Sequence, residues 1–225
     1  FLLGAFPRFL DHLRRAHPAM DDRELARRAL DKIFGVDINP YAASIARFRL
    51  FLKFVEVGQY RTLRETPRPP IHVVPADSLL YGFAGGQGDL SERDEKYGSD
   101  AFGEGFNLED AKGARELLAG RTYTAVVGNP PYITVKDAAL REKYRNRYTA
   151  AAGKYALSAP FMQRFFALGK GEGGFIGQIT SNSFTKRDFG KTLIEKTLRE
   201  LDVTYIVNTA GAYIPGHTTP TVLIF

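Results

Sequence analysis

The stretch from Tyr123 to Thr134, Tyr-Thr-Ala-Val-Val-Gly-Asn-Pro-Pro-Tyr-Ile-Thr, carries the strongest indication of fold and chemistry in this chain. Its first five residues form a short apolar run of β-branched and aromatic type, which predicts a buried strand ending at Gly128. Pro130 and Pro131 fix two φ angles and lack N–H donors, so the chain cannot continue there as helix or sheet. Asn129–Tyr132 is therefore predicted to be a stiff loop at the carboxyl end of a strand, where open α/β sheets bind ligands.

The chemical groups of this loop suit an exocyclic amine such as N6 of adenine. The side-chain oxygen of Asn129 and the carbonyl of Pro130 can accept its two hydrogens, which draws the nitrogen towards a tetrahedral shape and directs its lone pair. Tyr132 can stack on the base, whose face becomes available once the base has left the duplex. The alternative is a rigid turn at the end of a strand, without chemistry, because short motifs also occur by chance.

Composition narrows the class of protein. The chain has 225 residues, of which 44% are hydrophobic, enough for one α/β domain with a core or most of one. It has no cysteine and four scattered histidines, so we expect no disulfide and no metal site. No apolar run approaches membrane-spanning length and no signal peptide opens the chain, which favours a cytoplasmic protein without membrane contact. A net charge of +6 permits nucleic-acid binding without establishing it.

Strands and helices are predicted to alternate. The pattern predicts an α/β fold with a mostly parallel sheet, helices on both faces and an antiparallel strand pair at the C-terminal end. Strands are expected at residues 33–38, 71–74, 123–127, 175–180, 203–207 and 221–225, and helices at 1–16, 22–30, from Asn39-Pro40 onwards, around 157–168 and at 186–200.

Three helices carry expectations about burial. The helix at 22–30 is expected to be solvated and charged. The helix after Asn39-Pro40 is expected to face the core with a stripe spaced four, three, four and three residues apart: Tyr41, Ile45, Phe48, Leu52 and Val55. The helix at 186–200 is expected to turn Ile194, Leu198 and Leu201 inward.

Two acids end predicted strands. An acid such as Asp37, at the tip of the second strand of a nucleotide-binding fold, can grip ribose hydroxyls, and it can equally be a carboxylate favoured by a helix N-terminus. Asp77 follows the next strand and can accept from the adenine amine of a cofactor. Its alternative is a turn aspartate that bonds its own backbone.

A basic segment follows the Asn-Pro-Pro-Tyr loop. Its cations are interleaved with Tyr144 and Tyr148, which suits phosphate contact and strand opening, although such charge runs are often only solvated surface. The candidate nucleic-acid contacts are Lys136, Arg141, Lys143, Arg145 and Arg147. Residues 81–115, rich in Gly, Asp, Glu and Ser at their start, are predicted to be a surface insertion.

Taken in order, these motifs resemble the S-adenosylmethionine-dependent N6-adenine DNA methyltransferases. The resemblance implies a Rossmann-like methyltransferase fold. It makes Asp37 with Ile38 the ribose-binding position, Asp77 with Ser78 the cofactor-adenine position, and Asn129 the first residue of the catalytic tetrad and a further cofactor contact. The tetrad is Asn129, Pro130, Pro131 and Tyr132.

Further motifs narrow the resemblance to the adenine methyltransferases of the BREX phage-defence system, in its phage-growth-limitation branch. They are Phe1–Phe6, Val36–Pro40, Asn129–Thr134, Thr180–Phe184 and Gly211–His217. The family has a first strand and a Gly-rich loop directly before the segment that matches Phe1–Phe6, and these are missing here. We therefore expect residues 1–225 to be a partial catalytic domain from a longer protein.

The function that the resemblance implies is methyl transfer from S-adenosylmethionine to N6 of a flipped adenine in double-stranded DNA. It implies phage defence or restriction-modification as the setting, with other defence subunits as further partners. Two alternatives stay open. One is a protein glutamine N5-methyltransferase, because that class also uses Asn-Pro-Pro-Tyr on a planar amide nitrogen. The other is a non-catalytic DNA-binding or assembly module of a defence complex.

Overall fold

The computed structural model describes residues 1–81, 108–119, 122–209, 211 and 219–225. These residues separate into two compact units, the first containing the described residues up to 118 and the second those from 119 onwards. Most of the predicted insertion, and most of the motif at 211–217, lies outside the described residues. No helix in the described ranges is long and apolar enough to cross a membrane.

The described part of the first unit contains four helices and two strands. Its elements, in chain order, are α1 (Leu2–Ala16), α2 (Asp22–Asp31), β1 (Phe34–Asp37), α3 (Pro40–Val57), β2 (His72–Pro75) and α4 (Leu108–Leu117). β1 and β2 pair in parallel, with Asp37 opposite Pro75. The predicted helices at 1–16 and 22–30, and both strands, are therefore confirmed to within a few residues.

The core of the first unit lies among α1, α2 and α3. Its largest buried side chains are Phe6, Leu10, Leu25, Leu30, Leu50 and Phe54. The expectation that α2 is only a solvated helix was wrong, because one face buries Leu25, Ala26, Ala29 and Leu30. The other face is charged, as predicted, and Glu24 pairs there with Arg27 and Arg28. Charge counting missed the apolar face because four small or aliphatic residues are spread among six polar ones.

The predicted apolar stripe of α3 does not face the core. Tyr41 is 79% exposed and Phe48 60% exposed, and Ile45 and Leu52 are also exposed. The buried residues are instead Ala43, Leu50 and Phe54, on another face of the helix. Because α3 is apolar on nearly every side, hydrophobic spacing alone cannot choose between its two candidate faces. Asn39 caps the helix as predicted, accepting from the N–H groups of Tyr41 and Ala42.

The helix α4 begins inside the predicted insertion. Ala114 and Leu117 are buried, and a Cβ at Gly113 would lie 3.0 Å from a methyl carbon of Val74. This close approach of α4 to β2 favours glycine, because an added Cβ would force Val74 to shift. Helix α4 begins at Leu108, before the predicted end of the insertion at residue 115.

The second unit contains a mixed sheet and several helices. Its elements are β3 (Ala125–Gly128), α5 (Ala138–Arg145), α6 (Ser158–Leu168), β4 (Phe175–Ser181), a 3-10 turn (Asn182–Thr185), α7 (Phe189–Thr192), a π-helical turn (Leu193–Thr197), α8 (Leu198–Glu200), β5 (Ile206–Asn208) and β6 (Thr221–Ile224). The strand order is β3-β4-β6-β5. β3 and β4 are parallel, whereas β6 is antiparallel to both β4 and β5, which confirms the predicted C-terminal antiparallel pair.

Three expectations about strands and phase need correction. The described strands form two sheets with as many antiparallel as parallel pairings, so a single mostly parallel sheet is not what they show. The strands ending at Asp37 and Gly128 were expected to be buried, yet both are partly exposed, and within the described part of the chain β1 and β3 each pair on one side only. In the 189–200 segment the π-helical turn changes the phase, so Leu193 and Thr197 are buried and Ile194 is 41% exposed.

Candidate active site

The Asn-Pro-Pro-Tyr loop leaves the carboxyl end of β3. A Cβ at Gly128 would lie 2.6 Å from the ring of Phe165 on α6, so glycine lets the strand end close against that helix. Just beyond the tetrad, the N–H of Leu157 donates to the carbonyl of Ile133 at 2.9 Å, and Val135 is buried. The loop is thus held at both ends by the segment that contains α6.

Within the loop, Asn129 and Pro131 are exposed, Pro130 is buried and Tyr132 is half-buried. The Tyr132 hydroxyl donates to Oδ1 of Asn129 at 2.6 Å. Burial raises the pKa of the Tyr132 hydroxyl, so at neutral pH it remains a protonated donor. Sequence reasoning missed this contact, although tyrosine and asparagine three residues apart across two prolines are close enough to make it.

Asp37 lies at the exposed end of β1. Its Oδ1 accepts from the N–H of Asn39 at 2.8 Å, and its backbone carbonyl accepts from the N–H of Ala76 at 2.9 Å. Within the described residues, the Asp37 carboxylate makes no other hydrogen bond. A carboxylate offers about four acceptor sites, so Asp37 retains capacity for a ligand hydroxyl. The N-cap of α3 is Asn39, and Asp37 lies two residues before it, so both the ribose and the helix-terminus alternatives stay open for this acid.

Asp77 follows β2 and is only 6% exposed. Its Oδ1 accepts from the N–H of Leu79 at 2.8 Å, and its carbonyl accepts from the N–H groups of Leu80 and Tyr81. The turn alternative for Asp77 therefore describes part of its environment. Because β1 and β2 are parallel, Asp37 and Asp77 follow strand ends at the same edge of this sheet. Their neighbours differ, with Ile38 62% exposed and Ser78 half-buried.

The basic segment after the tetrad contributes aromatic side chains to the protein core. Tyr144 and Tyr148, expected to accompany the cations on the DNA-facing surface, are buried, and the Tyr155 hydroxyl donates to the Arg141 carbonyl at 2.9 Å. The prediction of interleaved surface aromatics was wrong, because both tyrosines lie on the core side of α5 and the turn after it. Lys136 and Arg145 are exposed, and the half-buried cations of the set are Arg141, Lys143 and Arg147.

Arg145 is engaged within the protein. Its guanidinium contacts Glu142 at 2.7 Å and the Gly153 carbonyl at 2.9 Å. In the ranges that the structure describes, no cluster of His, Cys, Asp and Glu is arranged to hold a metal ion.

A polar strand residue also reaches the site. Gln178 on β4 lies opposite Gly128, is buried, and its Nε2 donates to the Ser158 carbonyl at 3.0 Å. It therefore fixes the start of α6, whose preceding residue Leu157 holds the loop. Sequence reasoning passed over Gln178, although a glutamine between Gly177 and Ile179 in a predicted strand is a usable signal.

Comparison with known proteins identifies the family of this chain. The model of the Eco57I restriction-modification methylase family matches residues 31–214, which include both acids and the tetrad. The chain belongs to this family.

Two individual proteins are similar to this chain. The chain is 45% identical over 234 aligned residues to "Adenine-specific methyltransferase PglX" of Streptomyces coelicolor, covering 100% of this chain and 19% of that protein. It is 40% identical over 86 residues to "Type II methyltransferase M.BstVI" of Geobacillus stearothermophilus, covering 37% of this chain and 15% of that protein. The chain thus spans about a fifth of the length of the first relative.

Proposed function

We propose that the complete protein transfers a methyl group from S-adenosylmethionine to N6 of adenine in double-stranded DNA. The observation that carries the proposal is the exposed Asn129 amide on a stiff loop at the end of β3, in a chain of the Eco57I methylase family. The relative from Streptomyces coelicolor is named an adenine-specific methyltransferase, which supports adenine as the target base.

The chemistry needs positioning more than acid–base catalysis, because the cofactor supplies a methyl group already activated on a sulfonium. Asn129 Oδ1 accepts one hydrogen of the exocyclic amine, and the Pro130 carbonyl accepts the other. The Tyr132 ring stacks on the flipped base. Pro131 fixes one φ angle of the loop, so the loop backbone keeps its conformation when the base enters.

The first unit supplies acceptors that fit the cofactor. We assign the ribose hydroxyls to the Asp37 carboxylate, because it is exposed and retains acceptor sites beyond its bond to Asn39. Asp77, with Ser78 beside it, would accept from the adenine amine of the cofactor, and the exposed Ile38 would pack on its base. The contact of Asn129 with the cofactor is implied by the resemblance to the N6-adenine DNA methyltransferases.

DNA contact is assigned to the basic segment, chiefly through Lys136 and Arg141. Arg145 contributes after exchanging Glu142 for phosphate, and Lys143 and Arg147 extend the same segment. Cationic side chains that neutralise DNA phosphates make the DNA affinity fall steeply as the salt concentration rises. Replacing these side chains should therefore weaken the salt dependence of the DNA affinity.

For the fold, we propose a Rossmann-like methyltransferase domain that includes all 225 residues. The loops after β1, β2, β3 and β4 begin with Ile38-Asn39, Ala76-Asp77, Asn129-Pro130 and Asn182-Ser183. None of these loop openings contains a glycine. We therefore place the glycine-rich cofactor loop, with its strand, outside the described residues.

The setting that we propose is phage defence or restriction-modification, and the family description supports it. In that setting the complete protein would work with other defence subunits.

The test is methyl transfer by the complete purified protein from tritiated S-adenosylmethionine to duplex DNA, with a glutamine-bearing protein as the competing acceptor. Enzymatic digestion of the product should release N6-methyldeoxyadenosine as the labelled nucleoside. Label in glutamine would establish the other acceptor class, and label in neither would overturn the proposed reaction.

A further inference from the structure

The contact between Tyr132 and Asn129 joins the two side chains to which the proposed reaction gives different tasks. The Tyr132 hydroxyl lies 2.6 Å from Asn129 Oδ1, a short O–H···O distance. Oδ1 is the acceptor that the exocyclic amine needs. The residue to which the proposed reaction gives the stacking task therefore donates a hydrogen bond to the atom to which that reaction gives the amine.

We propose that the Tyr132 hydroxyl is an exchangeable donor that satisfies Asn129 Oδ1 until the exocyclic amine of the target base replaces it. The inference rests on the proposed function, because it takes the amine as the ligand of Asn129. It adds a second role to Tyr132, since its hydroxyl bonds Oδ1 when the base brings no amine, whereas its ring stacks on the base in either case.

The surrounding loop favours movement of this side chain over movement of the backbone. Pro130 and Pro131 restrict φ within the loop, and the carbonyl of Ile133 is held by the N–H of Leu157 at 2.9 Å. Gly128, at the other end, closes against Phe165. With its backbone restrained on both sides, Tyr132 can leave Oδ1 most easily by rotation of its own side chain.

Exchange has a defined energetic consequence. In the wild-type protein an incoming amine replaces an existing hydrogen bond, so its gain is the difference between two similar bonds. In Tyr132→Phe the amine replaces only water. A net hydrogen bond changes an equilibrium by roughly two- to tenfold. Tyr132→Phe should therefore bind an amine-bearing base more selectively than the wild type does.

The contrary role is a hydroxyl that stays in place and orients the Asn129 amide for the amine. Removing such a hydroxyl would loosen Asn129 and reduce the selectivity for the amine. The two roles therefore predict opposite signs for one measurable coupling between the Tyr132 hydroxyl and the amine of the base.

The experiment measures that coupling by equilibrium binding to the complete protein with S-adenosylhomocysteine present, so that no transfer occurs. The probes are two duplexes with the sequence around N6-methyladenine mapped in DNA from cells that express the protein. One carries adenine at the target position and the other carries purine, which lacks the amine, each opposite an abasic site. The proteins are wild type, Tyr132→Phe and Tyr205→Phe, the last being a control at an exposed tyrosine outside the loop.

The expected result is that the ratio of adenine to purine affinity rises by roughly two- to tenfold in Tyr132→Phe and stays at the wild-type value in Tyr205→Phe. An unchanged or smaller ratio in Tyr132→Phe overturns the exchange. Asn129→Ala separates this failure from failure of the proposed function. If wild type and Asn129→Ala discriminate adenine from purine equally, or if no N6-methyladenine is mapped, the assignment of Asn129 to the amine is itself wrong.

Discussion

Asp37 allows the cofactor assignment to be tested at a single side chain. Replacing Asp37 with Ala should weaken S-adenosylmethionine binding by about 2–3 kcal/mol, because a pair of charge-assisted hydrogen bonds is lost. DNA affinity should change far less. Isothermal titration with the cofactor and fluorescence anisotropy with a duplex give the two affinities.

Two further variants make this measurement specific. Asp37→Asn keeps an oxygen for the Asn39 N–H and removes the charge, so it should retain the melting temperature while losing cofactor affinity. Asp202→Ala removes an exposed acid elsewhere and serves as the matched control. Equal losses of cofactor and DNA affinity in Asp37→Ala would mean that the acid is structural.

Single residues also show how far sequence reasoning reaches. Two consecutive prolines after an apolar strand predict the loop at Asn129, because together they remove two N–H donors and disfavour both helix and sheet. The direction of Tyr144 and Tyr148 was not predictable in the same way. An amphipathic aromatic suits either a DNA-facing surface or a core, and only the packing of the second unit decides between them.

At the scale of elements, α3 provides the clearest contrast between pattern and packing. Its exposed face contains Ile45 and Phe48, and its buried face contains Leu50 and Phe54. Phe48→Ser and Ile45→Ser should therefore change stability by no more than about 0.5 kcal/mol, as surface substitutions usually do. Leu50→Ala should cost about 2–5 kcal/mol, because it leaves a cavity in the core.

Calorimetric melting of the complete protein distinguishes these variants, with Arg49→Ala as a neighbouring exposed control. A drop in melting temperature for Phe48→Ser as large as that for Leu50→Ala would contradict the exposure of that face. The predicted spacing was correct for a helix, but an element that is apolar on most sides carries no sequence signal for the side that is covered.

The strands show the same limit. Their positions followed from β-branched and aromatic runs, and the antiparallel end of the chain was predicted. Pairing was less predictable, because β1 and β3 have a neighbour on one side only among the described residues. Partial burial follows from that pairing, whereas composition alone suggested strands covered on both faces.

At the scale of the whole molecule, the 225 residues hold the proposed acceptors of the cofactor, but among the described residues none of β1, β2, β3 and β4 is followed directly by a glycine-rich segment. We therefore expect this chain, expressed by itself, to bind S-adenosylmethionine much more weakly than the complete protein. Isothermal titration of both samples checks the expectation, with circular dichroism to establish that the short chain is folded. Micromolar binding by the folded short chain would show that no further loop is needed.

The most direct test of the central claim is the methyl-transfer rate of the complete protein carrying Asn129→Ala. Asn129 is assigned mainly to the amine and only secondarily to the cofactor, which Asp37 and Asp77 bind, so this variant should keep nearly all of its cofactor affinity and its melting temperature. Its transfer of tritiated methyl groups to N6 of adenine in duplex DNA should fall by about 10²–10³, as expected when one well-placed catalytic hydrogen bond is lost. A rate near that of the wild type would contradict the claim and leave Asn129–Tyr132 as a stiff turn without chemistry.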